Sequence, residues 1–124
     1  MSGTLPTELG LLSMADRIDM SNNQFIGTIP REIGNCTNLS RLDLGFNRLE
    51  GTVPSEIAAL PLTEFLVAGN DGITGDLDAS FCSRTTPIDE FWSDCFRSNV
   101  ICSCCNRCCE SSLVSTCANT RGRK

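Results

Sequence analysis

The sequence predicts a repeat solenoid closed at its C-terminal end by a cysteine-rich cap. Three observations lead there: a 24-residue glycine spacing, apolar columns that follow the same step, and eight of the nine cysteines gathered in the last third of the 124 residues. The segments Gly3-Thr4-Leu5-Pro6-Thr7-Glu8-Leu9, Gly27-Thr28-Ile29-Pro30-Arg31-Glu32-Ile33 and Gly51-Thr52-Val53-Pro54-Ser55-Glu56-Ile57 align, and Gly75 continues the series. A fixed period of this size marks stacked supersecondary units, each burying its apolar edge against the next.

The apolar columns define the core. Ile18, Leu42 and Leu66 form one; Met20, Leu44 and Ala68 a second; Phe25, Leu49 and Ile73 a third; Leu9, Ile33, Ile57 and Phe81 a fourth. Proline followed two residues later by Glu suits the first turn of a short helix, where a missing N–H is harmless and a carboxylate meets the positive end of the helix dipole. Asn23 and Asn47 begin a column whose side chains can satisfy backbone groups of neighbouring coils. That column breaks at Asp71, so the third coil is irregular or shifts by one residue onto Asn70. Position 84 should match Leu12, Cys36 and Leu60 but is Arg84, where the repeats end.

The best copy, Leu39-x-x-Leu42-x-Leu44-x-x-Asn47-x-Leu49-x-Gly51-x-Val53-Pro54, resembles the plant-type leucine-rich repeat, and the likeness extends over residues 1–83. It implies an α/β solenoid: a right-handed superhelix with a parallel sheet on the concave side and 3₁₀ or short helices on the convex side. Traced backwards, the register puts Met1 in the Leu slot of a coil, so the chain opens in mid-repeat. The expectation is a longer repeat array upstream, bearing the signal peptide that residues 1–15 lack. No stretch approaches the ~20 apolar residues of a membrane span.

Beyond Ser83 the pattern changes. Ile88, Phe91, Trp92 and Phe96 supply apolar surface to cover the open end of the last coil. The run from Asp94-Cys95 through Val100-x-Cys102-Ser103-Cys104-Cys105-x-x-Cys108-Cys109 is similar to the C-terminal caps of surface leucine-rich-repeat proteins of microalgae. That likeness implies disulfides among Cys82, Cys95, Cys102, Cys104, Cys105, Cys108, Cys109 and Cys117, hence an oxidising compartment, with the connectivity open. The predicted divisions are 1–83 repeats, 84–110 cap and 111–124 polar tail. Cys102-x-x-Cys105 and Cys105-x-x-Cys108 have zinc-ligand spacing, but they overlap in one run instead of forming two knuckles, so no metal or cofactor is expected. Cys36, in a leucine column, reads as a buried free thiol.

For the leucine-rich-repeat likeness, ligands meet the concave face. A uniform register places Arg17, Asp19, Asn22, Arg41, Asp43, Phe46, Phe65, Val67 and Asn70 there. The charged members also read as a self-paired ladder, each pair worth under about 1 kcal/mol. Phe46 and Phe65 beside an Arg have hot-spot composition, although Phe65 could equally pack beneath the cap. Asn35-Cys36-Thr37 and Asn38-Leu39-Ser40 are overlapping glycosylation sequons.

The chain has no histidine and no tyrosine, which removes histidine-based triads and imidazole acid–base chemistry. Residues 1–80 carry eleven Asp/Glu against four Lys/Arg, an acidic body that argues against nucleic acid as a partner. The resemblance therefore implies a non-catalytic recognition module for a protein or peptide, extracellular or at the cell surface. A structural or adhesion role is the alternative, and cysteine-based metal binding comes third.

Overall fold

The computed structural model describes residues 2–94, 100–108 and 118–119. Expectations for Met1, Cys95, Phe96, Cys109, Cys117 and most of the tail lie outside the described residues.

Each 24-residue unit makes one coil with two short strands and one 3₁₀ helix. Strands β2 (Arg17–Asp19), β4 (Arg41–Asp43) and β6 (Glu64–Leu66) stack in parallel as the concave sheet. A second parallel sheet lines the far side of each coil, from β1 (Ser2–Thr4), β3 (Gln24–Thr28), β5 (Arg48–Gly51) and β7 (Gly72–Ile73). Helices η1 (Thr7–Leu11), η2 (Arg31–Asn35) and η3 (Ser55–Ala59) close the convex side. Pro6, Pro30 and Pro54 are the N-caps, one position earlier than a first-turn proline, with Glu8, Glu32 and Glu56 in the first turns.

Why the motif needs glycine is visible where β3, β5 and the following β8 (Gly75–Asp76) meet the coil before them. Gly27, Gly51 and Gly75 have φ of +80°, +81° and +114°. A Cβ on each would lie 3.1–3.2 Å from the Cγ2 of Thr4, Thr28 and Thr52 respectively. Positive φ and the threonine methyl together leave little room for any other residue.

The inner faces of both sheets and the helices enclose one core. Ile33, Cys36, Leu39, Leu42, Leu44, Leu49 and Ile57 are fully buried. Through it runs an asparagine ladder. Asn47 Nδ2 donates to the carbonyls of Met20 (2.9 Å) and Leu44 (3.2 Å), and its Oδ1 accepts from Phe25 N. Asn70 repeats this one coil on, donating to Leu44 O and Val67 O, both at 3.0 Å, while its Oδ1 accepts from Leu49 N. No buried side-chain N or O among the described residues lacks a partner.

The ladder exposes a shift of register. Leu42 pairs with Phe65, not Leu66, although Ile33 and Ile57 keep the 24-residue step. The missing residue is in the turn after η3: Cys36-Thr37-Asn38-Leu39 becomes Leu60-Pro61-Leu62, and Leu60 has ψ 154° where Cys36 has 72°. An extra residue at Asp71–Gly72 then restores the step by Ile73 and Gly75. The two changes cancel, so the glycine spacing hides both.

The concave sheet does not stop at residue 84. Strand β9 (Glu90–Ser93) pairs in parallel with β6, β11 (Arg107–Cys108) with β9, and β12 (Ala118–Asn119) closes the order antiparallel. The far side extends separately, through β10 (Val100–Ile101) against β8. A turn of π-helix, η4 (Asp78–Cys82), replaces the 3₁₀ helix and buries Phe81. Phe65, Phe81 and Phe91 form a ring cluster with centroids 5.4–5.6 Å apart. Arg84 occupies the expected leucine slot and turns it to a different use. Its guanidinium donates to the carbonyls of Ala58 (3.2 Å), Leu60 (2.9 Å) and Leu62 (3.2 Å), and burial lowers its pKa.

Candidate functional site

The concave strands present two outward columns. The first is Arg17, Arg41, Glu64 and Glu90; the second is Asp19, Asp43, Leu66 and Trp92. Between them the column Ile18, Leu42, Phe65 and Phe91 points into the core, as strand alternation requires.

Arg41 sits at the centre of this surface. Its guanidinium donates to Glu64 Oε2 and lies 3.5 Å from Asp43 Oδ2. The Glu64 hydrogen bond, with smaller help from the neighbouring carboxylates, raises its pKa. Asp43 is buried and accepts from Gly45 N at 3.0 Å; burial outweighs that bond and pushes its carboxyl up. Asp19 is exposed and accepts the Ser21 hydroxyl at 2.6 Å, which pulls its carboxyl down. The second column is graded, charged on β2 and β4 and apolar on β6 and β9, while the first stays charged throughout; Trp92 donates Nε1–H to Glu90 at 2.9 Å.

At the strand exits Asn22 and Phe46 occupy equivalent positions with φ +57°. Asparagine accepts this left-handed conformation readily, whereas phenylalanine is held there at a cost of about 1 kcal/mol or more. Gly69 makes the arrangement possible: a Cβ there would come within 2.5 Å of the Phe46 ring. The half-buried ring thus lies over the next coil at the edge of the concave sheet.

The structure accordingly brings Arg17, Asp19, Asn22, Arg41, Asp43 and Phe46 to one surface, and it corrects three expectations. The uniform register turns Phe65, Val67 and Asn70 outward; the one-residue contraction at Pro61 buries them, at 0%, 1% and 0% exposure. The surface positions they would have held go to Glu64, Leu66 and Gly69, and β9 continues the two columns with Glu90 and Trp92. Trp92 is therefore on the sheet surface and does not share in sealing the core, unlike Ile88 and Phe91. The displaced Asn column was the signal of the shift, but only Asp71 against Asn70 marked it. Asn35 and Asn38 of the two sequons are both exposed.

In the cap, Cys82 is bonded to Cys104 and Cys102 to Cys105. Cys108 is disulfide-bonded as well. Cys36 is free and buried, its Sγ 3.2 Å from Leu9 O, and burial raises its pKa. Asp94 ties the cap to the last coil: its two oxygens accept Gly69 N and Asn70 N, each at 3.0 Å. Asn106 joins two segments of the cap itself at the start of β9, accepting Phe91 N at 2.9 Å and donating to Asp89 O. Among the described residues, no helix is long and apolar enough to cross a membrane.

The family described as Leucine Rich Repeat matches residues 16–36 and 38–60. Among solved structures the chain is similar to the BIR2 ectodomain from Arabidopsis thaliana, at 35% identity and TM-score 0.65, covering 84% of this chain and 55% of that one. It is also similar to the plant peptide hormone receptor RGFR1 in complex with RGF2, at 36% identity and TM-score 0.58, covering 60% of this chain and 12% of that one. A third is the Arabidopsis receptor kinase HAESA in complex with the peptide hormone IDA and the co-receptor SERK1, at 25% identity and TM-score 0.66, covering 95% of this chain and 22% of that one. The chain thus spans between about an eighth and just over half the length of these proteins. No curated protein sequence gives a significant match. With its repeat motif, parallel concave sheet and 3₁₀ convex turns, the chain is a leucine-rich-repeat solenoid closed by a disulfide-bonded cap, similar in fold to plant receptor ectodomains.

Proposed function

We propose that this solenoid is a non-catalytic recognition module that binds a protein or peptide along its concave sheet, outside the cell. The observation that carries the reading is the surface formed by Phe46, Leu66 and Trp92 beside the Arg41–Asp43–Glu64 cluster. Half-exposed aromatic and aliphatic groups next to a fixed ion-paired centre have the composition of a binding hot spot. Phe46 is held in an unfavourable backbone conformation, which is more common at ligand-contacting positions than in structural ones. Two of the similar plant receptors are described in complex with peptide hormones, which supports a peptide or protein partner. The disulfides support an oxidising location.

The test is a display selection of random peptides against the whole chain, followed by titration with Phe46→Ala and Trp92→Ala. The reading expects selected peptides to lose at least about tenfold in affinity to either variant, a loss of roughly 1.4 kcal/mol, with unchanged thermal stability. Binders that do not distinguish the variants from the parent would place recognition elsewhere.

A further inference from the structure

The sulfur cluster of the cap supports a second kind of binding. Sγ atoms of Cys82, Cys102 and Cys104 all lie within 4.8 Å of one another, and Cys105 is bonded to Cys102. Four sulfurs from two disulfides are thus gathered at one point, three from the loop 102–105 and one from η4, about twenty residues upstream. We propose that, when both disulfides are reduced, Cys82, Cys102, Cys104 and Cys105 form a tetrathiolate site for a soft divalent ion such as Zn²⁺.

The geometry is close to what the ion needs. Zinc–sulfur bonds of about 2.3 Å in a tetrahedron put the sulfurs about 3.8 Å apart. Among Cys82, Cys102 and Cys104 the non-bonded sulfurs must therefore contract by an ångström or less, while both disulfide pairs, Cys82–Cys104 and Cys102–Cys105, open. Donors for thiolate sulfur are already in place: Cys104 N points at Cys82 Sγ, 3.2 Å away, and the Ser93 hydroxyl lies 3.3 Å from Cys105 Sγ. A disulfide sulfur carries no proton, so Ser93 is the donor. Such hydrogen bonds orient and stabilise metal-bound thiolates. The Asp78 carboxylate lies 3.3 Å from Cys82 Sγ and holds Ser103 N at 2.7 Å, which fixes the loop and adds negative charge beside the ion. Overlapping C-x-x-C spacings in one run lack a second knuckle; folding supplies it from η4.

The redox step balances with a dithiol as reductant. Each disulfide takes two electrons and two protons from one dithiol, which closes to its own disulfide. The four resulting thiols release four protons when Zn²⁺ binds. The ion then joins η4 to loop 102–105, the same two segments that Cys82–Cys104 joins in the oxidised form. The site is thus an alternative fastening for the cap when its two disulfides are reduced.

The whole chain, reduced with a phosphine (one phosphine and one water per disulfide, giving two thiols and the phosphine oxide) and freed of excess, is titrated with Co²⁺ and then Zn²⁺. One Co²⁺ per chain with the visible absorption of a tetrahedral thiolate complex, displaced by Zn²⁺, is expected. Alkylation of the zinc-loaded sample should spare Cys82, Cys102, Cys104 and Cys105. Cys82→Ser should weaken binding at least about tenfold, and Cys36→Ser should leave it unchanged. Protection confined to residues 102–109 with Cys82 alkylated, or an unchanged affinity in Cys82→Ser, would overturn the assignment. Circular dichroism on the same samples guards against unfolding: sheet signal lost on reduction and restored by zinc supports the site, and loss that zinc does not reverse defeats it.

Discussion

Asn70 offers the sharpest test of how the coils hold together. It is fully buried and spans two coils, donating to Leu44 O and Val67 O and accepting from Leu49 N. Asn70→Ala strands the Val67 carbonyl and the Leu49 amide on that side. The Leu44 carbonyl keeps the Asn47 Nδ2 bond at 3.2 Å. Two buried groups left unpaired at about 1–3 kcal/mol each give a loss of about 3 kcal/mol, allowing for partial relaxation. Against a total of about 5–15 kcal/mol for a domain this size, that is a large fraction, and roughly 10 °C in melting temperature. Asn23→Ala is the matched control. Asn23 sits at the equivalent position one coil from the N-terminal end, is only partly buried, and bonds Met20 O and Ser21 O within reach of water. Its loss should cost under about 1 kcal/mol. Urea unfolding followed by Trp92 fluorescence and circular dichroism measures both. If the two variants fall within about 0.5 kcal/mol of each other, the buried ladder does not carry the stability assigned to it here.

Arg84→Leu restores the residue type of the repeat column yet should destabilise by about 2 kcal/mol, because the carbonyls of Ala58, Leu60 and Leu62 lose a charged donor; equal or greater stability in urea would mean that the guanidinium clamp is dispensable. Burial raises the Asp94 carboxyl above the ordinary aspartate value of 3.8, against the opposing bonds from Gly69 and Asn70. The folded state therefore keeps this proton to higher pH than the unfolded chain does. Its stabilising effect is complete below the unfolded value and is lost as pH rises through the folded one. Stability measured upward from pH 3.8 should fall less steeply in Asp94→Asn than in the parent; an unchanged slope would count against a raised Asp94.

The fold was legible because its determinants are periodic. Gly27, Gly51, the proline caps and the Ile33–Ile57 column each announce a position that only one class of residue fills well. The concave surface was less legible for a definite reason. Its columns depend on strand phase, and phase changes between Leu60 and Leu62 without a change in the flanking glycine spacing. Period-2 alternation turns a one-residue slip into an exchange of inside and outside, so Phe65 and Leu66 trade places. Arg41 and Asp43 precede the slip and were placed correctly on the face. Leu66 and Trp92 follow it and were not. In the cap, pairing of cysteines depends on which loops meet in space, and the 22-residue separation of Cys82 and Cys104 carries no mark in the sequence.

The contraction at Pro61 and the expansion at Asp71–Gly72 show that the two sides of a coil are indexed independently. The far sheet and helices keep step like a ruler while the inner strand slides one notch against it. A paired deletion and insertion can therefore exchange the whole exposed set of one inner strand for its hidden set, with the neighbouring coils undisturbed. For an array whose inner surface meets its surroundings, this is a route to new surface chemistry by rephasing residues already present, without substituting any of them.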